Sequence, residues 1–342
     1  MNAAMPVRET HSPLDALSRP LRDLRVSVIE TCNYRCPYCM PEGLTPDDAT
    51  LDRARRLDFQ QIETAVRAFA RLGVRKIRLT GGEPLLRKDL PELVRRLARV
   101  PGIEDLALTT NGSLLATQAA ALRAAGLHRL TVSLDALDAD VFRAMSGGRG
   151  DVRQVLDGLA AAESAGFGRI KLNTVVQRGV NEDQALALVE RFRGTPHTLR
   201  FIEYMDVGTC NGWRRDQVVP SAELRDRIAM RWPLSPVAPS YRGEVASRYR
   251  FVDGQGEIGF VSSVSAPFCG DCHRARLSAD GQLFTCLFAA RGHDLSEGIA
   301  QGEAALSDRI ASIWARRADR YSEERAGLAS ERKRIEMFFI GG

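Results

Sequence analysis

The chain has little that could enter a membrane. No stretch approaches the ~18–20 uninterrupted apolar residues needed to span a bilayer, although 44% of its 342 residues are hydrophobic and can form a sizeable core. Runs of basic residues are also missing. The net charge of +5 is mild and scattered, which argues against a general nucleic-acid binder and leaves room for a local anionic site. Lysine is scarce: Lys76, Lys88, Lys171 and Lys333 are the four present, and every other basic residue counted with them is arginine. With abundant alanine this reads as a GC-rich coding bias, so a lysine at a strand end carries more information than usual. No histidine lies between His11 and His128. Met1 to Leu21 hold no apolar h-region and carry Pro6, Pro13 and Pro20. They read as a disordered leader and not a signal peptide, and a cytoplasmic protein is expected.

From Leu24 to about Tyr204 two textures alternate. Runs that are β-branched or alternate in polarity predict strands at Leu24–Ile29, Lys76–Thr80, Asp105–Thr109, Arg129–Leu134, Arg169–Val175 and Thr198–Tyr204. Between them apolar residues recur at helical spacing, as at Ile62, Val66 and Phe69 or Leu90, Leu93 and Leu97. Several of these stretches end on a glycine, such as Gly73, Gly126 and Gly166, the expected stop for a helix. Six βα units in series predict an α/β fold with a parallel sheet, closed only in part because a full barrel needs eight. After about Pro220 the chain is punctuated by proline and glycine, with strand-like Gly259–Val264, a hairpin signal at Asp280–Gly281 and helical spacing near Glu303–Arg316. The expected organisation is a leader over 1–21, a partial (βα)6 TIM-like barrel over 22–220, and a smaller irregular C-terminal domain over 221–342 covering the open side.

Seven cysteines without a secretion signal point to metal or redox chemistry over disulfides. Cys32-x3-Cys36-x2-Cys39 directly follows the first strand. Three thiolates so close together ligate three irons of a cubane and leave the fourth open for a cofactor or substrate. Zinc is normally closed by four ligands, and no nearby histidine supplies the fourth. Cys269-x2-Cys272-x13-Cys286 is a second set of three. Alone it leaves zinc open, with His293 a candidate fourth ligand and His273 badly placed beside Cys272; a second cluster is the preferred reading. Cys210 stands apart without a role.

Polar groups end several strands: Gly81–Gly82–Glu83–Pro84, Thr109–Thr110–Asn111–Gly112 and Ser133–Leu134–Asp135. Taken singly these are turns and N-caps, yet barrel active sites form at strand C-termini. Arg274 and Arg276 flank Ala275, which puts both guanidiniums on one face of a strand, a good match to phosphate oxygens. Arg25, Arg78 and Lys171 sit on three further strands. Arg78 and Lys171 alternate with apolar neighbours, so in a closed sheet they face one cavity, where an anionic substrate balances their charge.

The first cysteine spacing, its place after strand one and the aromatic Tyr38 resemble the radical S-adenosylmethionine (SAM) superfamily. Together with GGEP, TTNG, SLDA, FIEYM, the CxxCxRxR…C set and the final Gly341–Gly342, the chain from Leu24 onward is similar to the GTP 3′,8-cyclases of molybdenum cofactor biosynthesis. The resemblance implies two 4Fe–4S clusters, on Cys32, Cys36 and Cys39 and on Cys269, Cys272 and Cys286. It implies SAM contacts at Tyr38, Gly82, Ser133 and Met205, and GTP contacts at Arg25, Arg78, Thr109, Lys171, Arg274, Ala275 and Arg276. Arg25, Arg274, Arg276 and the Gly341–Gly342 tail would also assist catalysis. A 5′-deoxyadenosyl radical would take the ribose C3′ hydrogen, after which C3′ attacks guanine C8. An electron donor such as a flavodoxin or ferredoxin, a downstream cyclic pyranopterin monophosphate synthase and a homodimer are also implied. Two rivals stand beside this reading. A radical SAM enzyme acting on a peptide has no need of the arginines, and a non-enzymatic metal-containing nucleic-acid-binding protein does not account for the open iron or the βα units.

Overall fold

The computed structural model describes residues 12–43, 55–325 and 334–341. Its first half is a series of βα units: β1 (Asp23–Ser27), α1 (Phe59–Arg71), β2 (Lys76–Thr80), α2 (Leu90–Leu97), β3 (Asp105–Thr110), α3 (Leu115–Ala124), β4 (Arg129–Ser133), α4 (Ala139–Met145), α5 (Val152–Ser164), β5 (Lys171–Val176), α6 (Gln184–Phe192) and β6 (Thr198–Glu203). All six strands run parallel, each paired with the next. This is the partial (βα)6 barrel that the alternating textures predict.

Local chemistry sets the helix ends. Asp58 and Gln61 form a reciprocal capping box at the start of α1, with bonds of 2.8 and 2.9 Å. Ile62, Val66 and Phe69 then fall on one stripe and are fully buried against the sheet. Gly73 turns the chain into β2 with a φ of +91° that a side chain resists.

The remainder comprises α7 (Ser221–Ala229), β7 (Leu234–Val237), β8 (Ser247–Phe251), β9 (Glu257–Val261), β10 (Arg274–Leu277), β11 (Gln282–Phe284), β12 (His293–Asp294), α8 (Ser296–Gln301), α9 (Glu303–Ala315), α10 (Tyr321–Glu324) and α11 (Met337–Ile340). Its strands join the barrel sheet at both edges, in the order β12-β11-β10-β1-β2-β3-β4-β5-β6-β9-β8-β7. Both junctions, β1 with β10 and β6 with β9, are parallel. The connector from β9 to β10 therefore passes from one flank of the open barrel to the other, and it carries Cys269 and Cys272. Glu203, buried at the end of β6, fixes its start by accepting bonds of 2.8 Å from Val264 N and Ser265 N.

One expectation fails. Residues 12–21 are not a disordered leader, while residues 1–11 lie outside the described part. Leu14 bridges to Pro20, Ala16 N donates to Arg317 O, and Asp15 and Arg19 are buried. The segment is held by hydrogen bonds and ion pairs, which leave no apolar pattern in the sequence.

Candidate active site

The strands end on a cavity that all six clustered cysteines line. Cys32, Cys36 and Cys39 come from the loop after β1, Cys269 and Cys272 from the β9–β10 connector, and Cys286 from just past β11. Among the described residues no three His, Cys, Asp or Glu side chains converge on a single ion. Main-chain and side-chain donors reach several sulfurs: Tyr34 N to Cys32 (3.4 Å), Arg274 Nη2 to Cys272 (3.5 Å) and Phe288 N to Cys286 (3.4 Å). Such donors suit ligating thiolates. Burial pushes the Cys32 thiol up to about 11, with Glu83 adding to it. Burial also raises Cys36 and Cys39, whose fellow cysteines raise them further. The sulfurs of this first loop need a cationic partner to ionise. Cys272 differs: burial raises it, but Arg274 and Arg317 outweigh burial and bring it down to about 6.

His273 is buried near Asp23 (3.7 Å) and the Tyr241 ring, while His293 is exposed on β12. Neither lines the cavity with the second trio.

Above the first cysteines, Tyr38 donates to Asp135 (2.7 Å), which also accepts from Val175 N (2.9 Å). Gly82 passes so close to the Thr31 carbonyl that a Cβ would lie 2.1 Å from its oxygen. Glu83 is buried and accepts from Leu85 N (3.0 Å), Thr110 Oγ1 (2.6 Å) and Asn111 N (2.7 Å), which ties the ends of β2 and β3 together. Tyr38, Gly82, Ser133 and Met205 all line the cavity.

The arginines form a row. Arg25 lies in register with Arg276 on one side and Arg78 on the other, three cations abreast on parallel strands. Like charges set side by side in a sheet repel. Their partners are uncharged: Arg78 donates to Thr109 (3.1 Å) and Thr131 (2.9 Å), and Arg276 to the Gly341 carbonyl. Burial first, then Arg276, Arg78, Arg274 and Arg200, lowers the Arg25 guanidinium well below its usual range. Burial and Arg274 bring Arg276 to about 10, and burial and Arg78 bring Arg200 to about 10. A polyanion would relieve all of them.

Arg25, Arg78, Thr109, Arg274 and Arg276 line the cavity as the sequence implied. Lys171 does not. It stands near Arg200, Arg129, Arg78 and Lys76 without forming part of the wall. Ala275 turns its methyl to the opposite, fully buried face and only spaces the two arginines. Gly341 is buried against Thr80 at a φ of +69°, which brings the C-terminal tail into the barrel; Gly342 lies outside the described residues.

Two residues were missed. Arg200 alternates with buried Leu199 and Phe201, the same signal that exposed Arg78. Arg317, one percent exposed, lines the cavity from the end of α9 and left no pattern in an arginine-rich chain.

A partial barrel with three cysteines in the loop after β1 and polar groups at the remaining strand ends defines a radical SAM protein. Residues 26–192 match the Radical SAM superfamily, and residues 197–323 match the family described as Molybdenum Cofactor Synthesis C. The chain is 66% identical over 328 residues to a GTP 3′,8-cyclase of Xanthomonas campestris pv. campestris (strain B100), covering 96% of this chain and 97% of that one. It is 54% identical over 319 residues to a GTP 3′,8-cyclase of Acidothermus cellulolyticus, covering 91% and 88%. The chain belongs to the GTP 3′,8-cyclase family. In fold it resembles Streptococcus suis SuiB, solved bound to S-adenosylmethionine, with a TM-score of 0.59 at 15% identity over 85% of this chain and 68% of that one. It likewise resembles anSMEcpe, solved with bound AdoMet, with a TM-score of 0.55 at 12% identity over 93% and 94%. The superfamily brings with it a 4Fe–4S cluster and SAM binding. Among the described residues no helix is long and apolar enough to cross a membrane.

Proposed function

We infer that this chain converts GTP to (8S)-3′,8-cyclo-7,8-dihydroguanosine 5′-triphosphate, the first step of molybdenum cofactor biosynthesis. The observation that carries the reading is the row of Arg276, Arg25 and Arg78, without carboxylate ion pairs among the described residues, in the cavity that both cysteine trios line. Paired guanidiniums suit a triphosphate, and a peptide substrate does not require them.

In this reading Cys32, Cys36 and Cys39 hold the cluster that binds SAM, and Tyr38, Gly82, Ser133 and Met205 surround the cofactor. When bound, cluster and SAM together supply a 5′-deoxyadenosyl radical that takes the ribose C3′ hydrogen. The protein's own work is placement. Arg25, Arg78, Arg274 and Arg276 grip the phosphates, Thr109 is held by Arg78, and Lys171 adds charge from behind the wall. Cys269, Cys272 and Cys286 would hold a second 4Fe–4S cluster, whose open iron would offer the guanine a ligand site. Together these fix C3′ toward the SAM end of the cavity and C8 within reach of C3′. Gly341, bonded to Arg276, comes to the same point. Family membership supports a flavodoxin or ferredoxin as donor, a cyclic pyranopterin monophosphate synthase as the next enzyme, and a cytoplasmic homodimer.

The test is anaerobic reconstitution, followed by iron and sulfide analysis and reaction with SAM, dithionite and GTP. About eight irons per chain with GTP-dependent 5′-deoxyadenosine and a cyclised guanosine product support the reading. SAM cleavage with GTP untouched would remove the substrate, and zinc in place of iron would remove the mechanism.

A further inference from the structure

The segment misjudged as a leader bears directly on the second cysteine trio. Residues 12–21 form a hook: the Asp15 carboxylate accepts from Leu17 N and Arg19 N, each at 2.9 Å, and Leu21 N returns to Pro13 O. The other Asp15 oxygen, Oδ2, takes two guanidiniums at once, Arg19 Nε at 2.6 Å and Arg317 Nη1 at 3.1 Å. All three side chains are at most 2% exposed. The Trp314 indole packs under Arg317, 4.5 Å from ring centre to guanidinium, and donates to Arg19 O.

What the two arginines do with their remaining N–H groups is the informative part. Arg19 Nη1 donates to the Cys269 carbonyl at 2.7 Å, and Arg317 Nη1 to the Cys272 carbonyl at 2.7 Å. Arg317 Nε donates to the carbonyl of Thr285, the residue before Cys286, at 3.0 Å. One buried carboxylate thus orients two rigid forks that hold the main chain at each of the three cysteines. Removing three charges from water is costly, and a hydrophobic trio of equal volume would be at least as stabilising. Fork geometry is what such a trio lacks.

We propose that Asp15, acting through Arg19 and Arg317, is a positioning residue that presets Cys269, Cys272 and Cys286 for the second cluster. This rests on reading that trio as a cluster site. The N-terminal hook then belongs to the metal centre, although it lies on the far side of the barrel sequence from its cysteines. Asp15→Asn turns an amide toward two buried cations and loosens both forks, leaving Arg317 its longer contact with Asp319 (3.6 Å) and Arg19 its bond to the Asp319 carbonyl (2.8 Å). Arg19→Lys keeps a charge beside Asp15 but cannot span Asp15 and the Cys269 carbonyl as a fork does.

The experiment reconstitutes full-length wild type, Asp15→Asn and Arg19→Lys anaerobically. It measures iron per chain, the paramagnetic resonance of the dithionite-reduced protein, iron release to a chelator, and SAM cleavage as a reporter of the first cluster. In Asp15→Asn, iron should fall from about eight to about four per chain while SAM cleavage persists. In Arg19→Lys, the second cluster's iron should reach the chelator at least about tenfold faster, the low end for losing an outer-sphere partner. Wild-type iron, resonance and release in either variant would overturn the proposal, as would equal loss of both clusters in Asp15→Asn. If that variant does not fold, Arg19→Lys decides by the same readouts. Wild type that itself stops at about four irons refutes the two-cluster reading, an outcome distinct from failure of the clamp.

Discussion

Lys171 stands on β5 among Arg200, Arg129, Arg78 and Lys76, and burial first, then these cations, brings its ammonium from 10.5 down to about 7. A bound triphosphate reverses the balance of charge around it and returns the lysine toward its ordinary value. Binding must then draw in a proton wherever the free protein has lost one. With about 7 for the free protein and the ordinary value for the complex, the dissociation constant for GTP rises about 50-fold from pH ~7 to ~9, or about 2.3 kcal/mol. Above about pH 7.5 the terminal phosphate itself is almost fully ionised and adds little slope. Calorimetric titration of cluster-loaded protein with GTP, without SAM, in two buffers of different ionisation enthalpy, measures affinity and proton uptake together. Lys171→Arg, charged throughout the range, should flatten the profile. A flat profile in wild type, or an equal slope in Lys171→Arg, would refute the argument. The sign for stability runs the other way: the unfolded chain keeps the proton that the folded lysine has released. The unliganded fold should therefore gain stability as pH rises from about 7 toward 10.5, seen as a rising Tm.

Three further outcomes are expected. Gly82→Ala places a Cβ 2.1 Å from the Thr31 carbonyl oxygen, so the loop holding the first cysteines must shift and reductive SAM cleavage should fall at least about tenfold; unchanged 5′-deoxyadenosine formation would contradict this. Tyr38→Phe removes the donor 2.7 Å from buried Asp135 and should cost about 1–3 kcal/mol, read as a lower Tm of the cluster-free protein. Deleting Gly341–Gly342 removes the carbonyl on Arg276 and should abolish cyclisation with iron content unchanged; normal turnover by the truncated chain would end the role given to the tail.

The barrel was legible because its chemistry is local. Strands such as Lys76–Thr80 show the period-2 alternation of a sheet with charge on one face, and glycines such as Gly73 mark the turns. The two groups of cysteines stood out by their spacing, and the structure brings all six to one cavity, although for the second group spacing alone left zinc open. The rest was hidden for two physical reasons. Pairings such as β6 with β9 and β1 with β10 join segments far apart in sequence, and nothing local to Glu257–Val261 announces its partner. Asp15, Arg19 and Arg317 are buried by pairing with one another, so polarity, the usual mark of a solvated segment, pointed the wrong way. Lys171 shows the limit of strand alternation: it gives the face of a side chain but not its depth along the barrel.

The connector from β9 to β10 has a consequence for how the protein is assembled. Cys269 and Cys272 ride on the span between the two flanks of the open wall, whereas Cys286 belongs to the β10 flank alone. A cluster held by all three ties that span down to one flank, much as a clasp draws together the ends of a bracelet that its links cannot close. Loading iron at this point would complete the enclosure as well as equip it. The chamber would then reach its working shape only in a protein already furnished to use it.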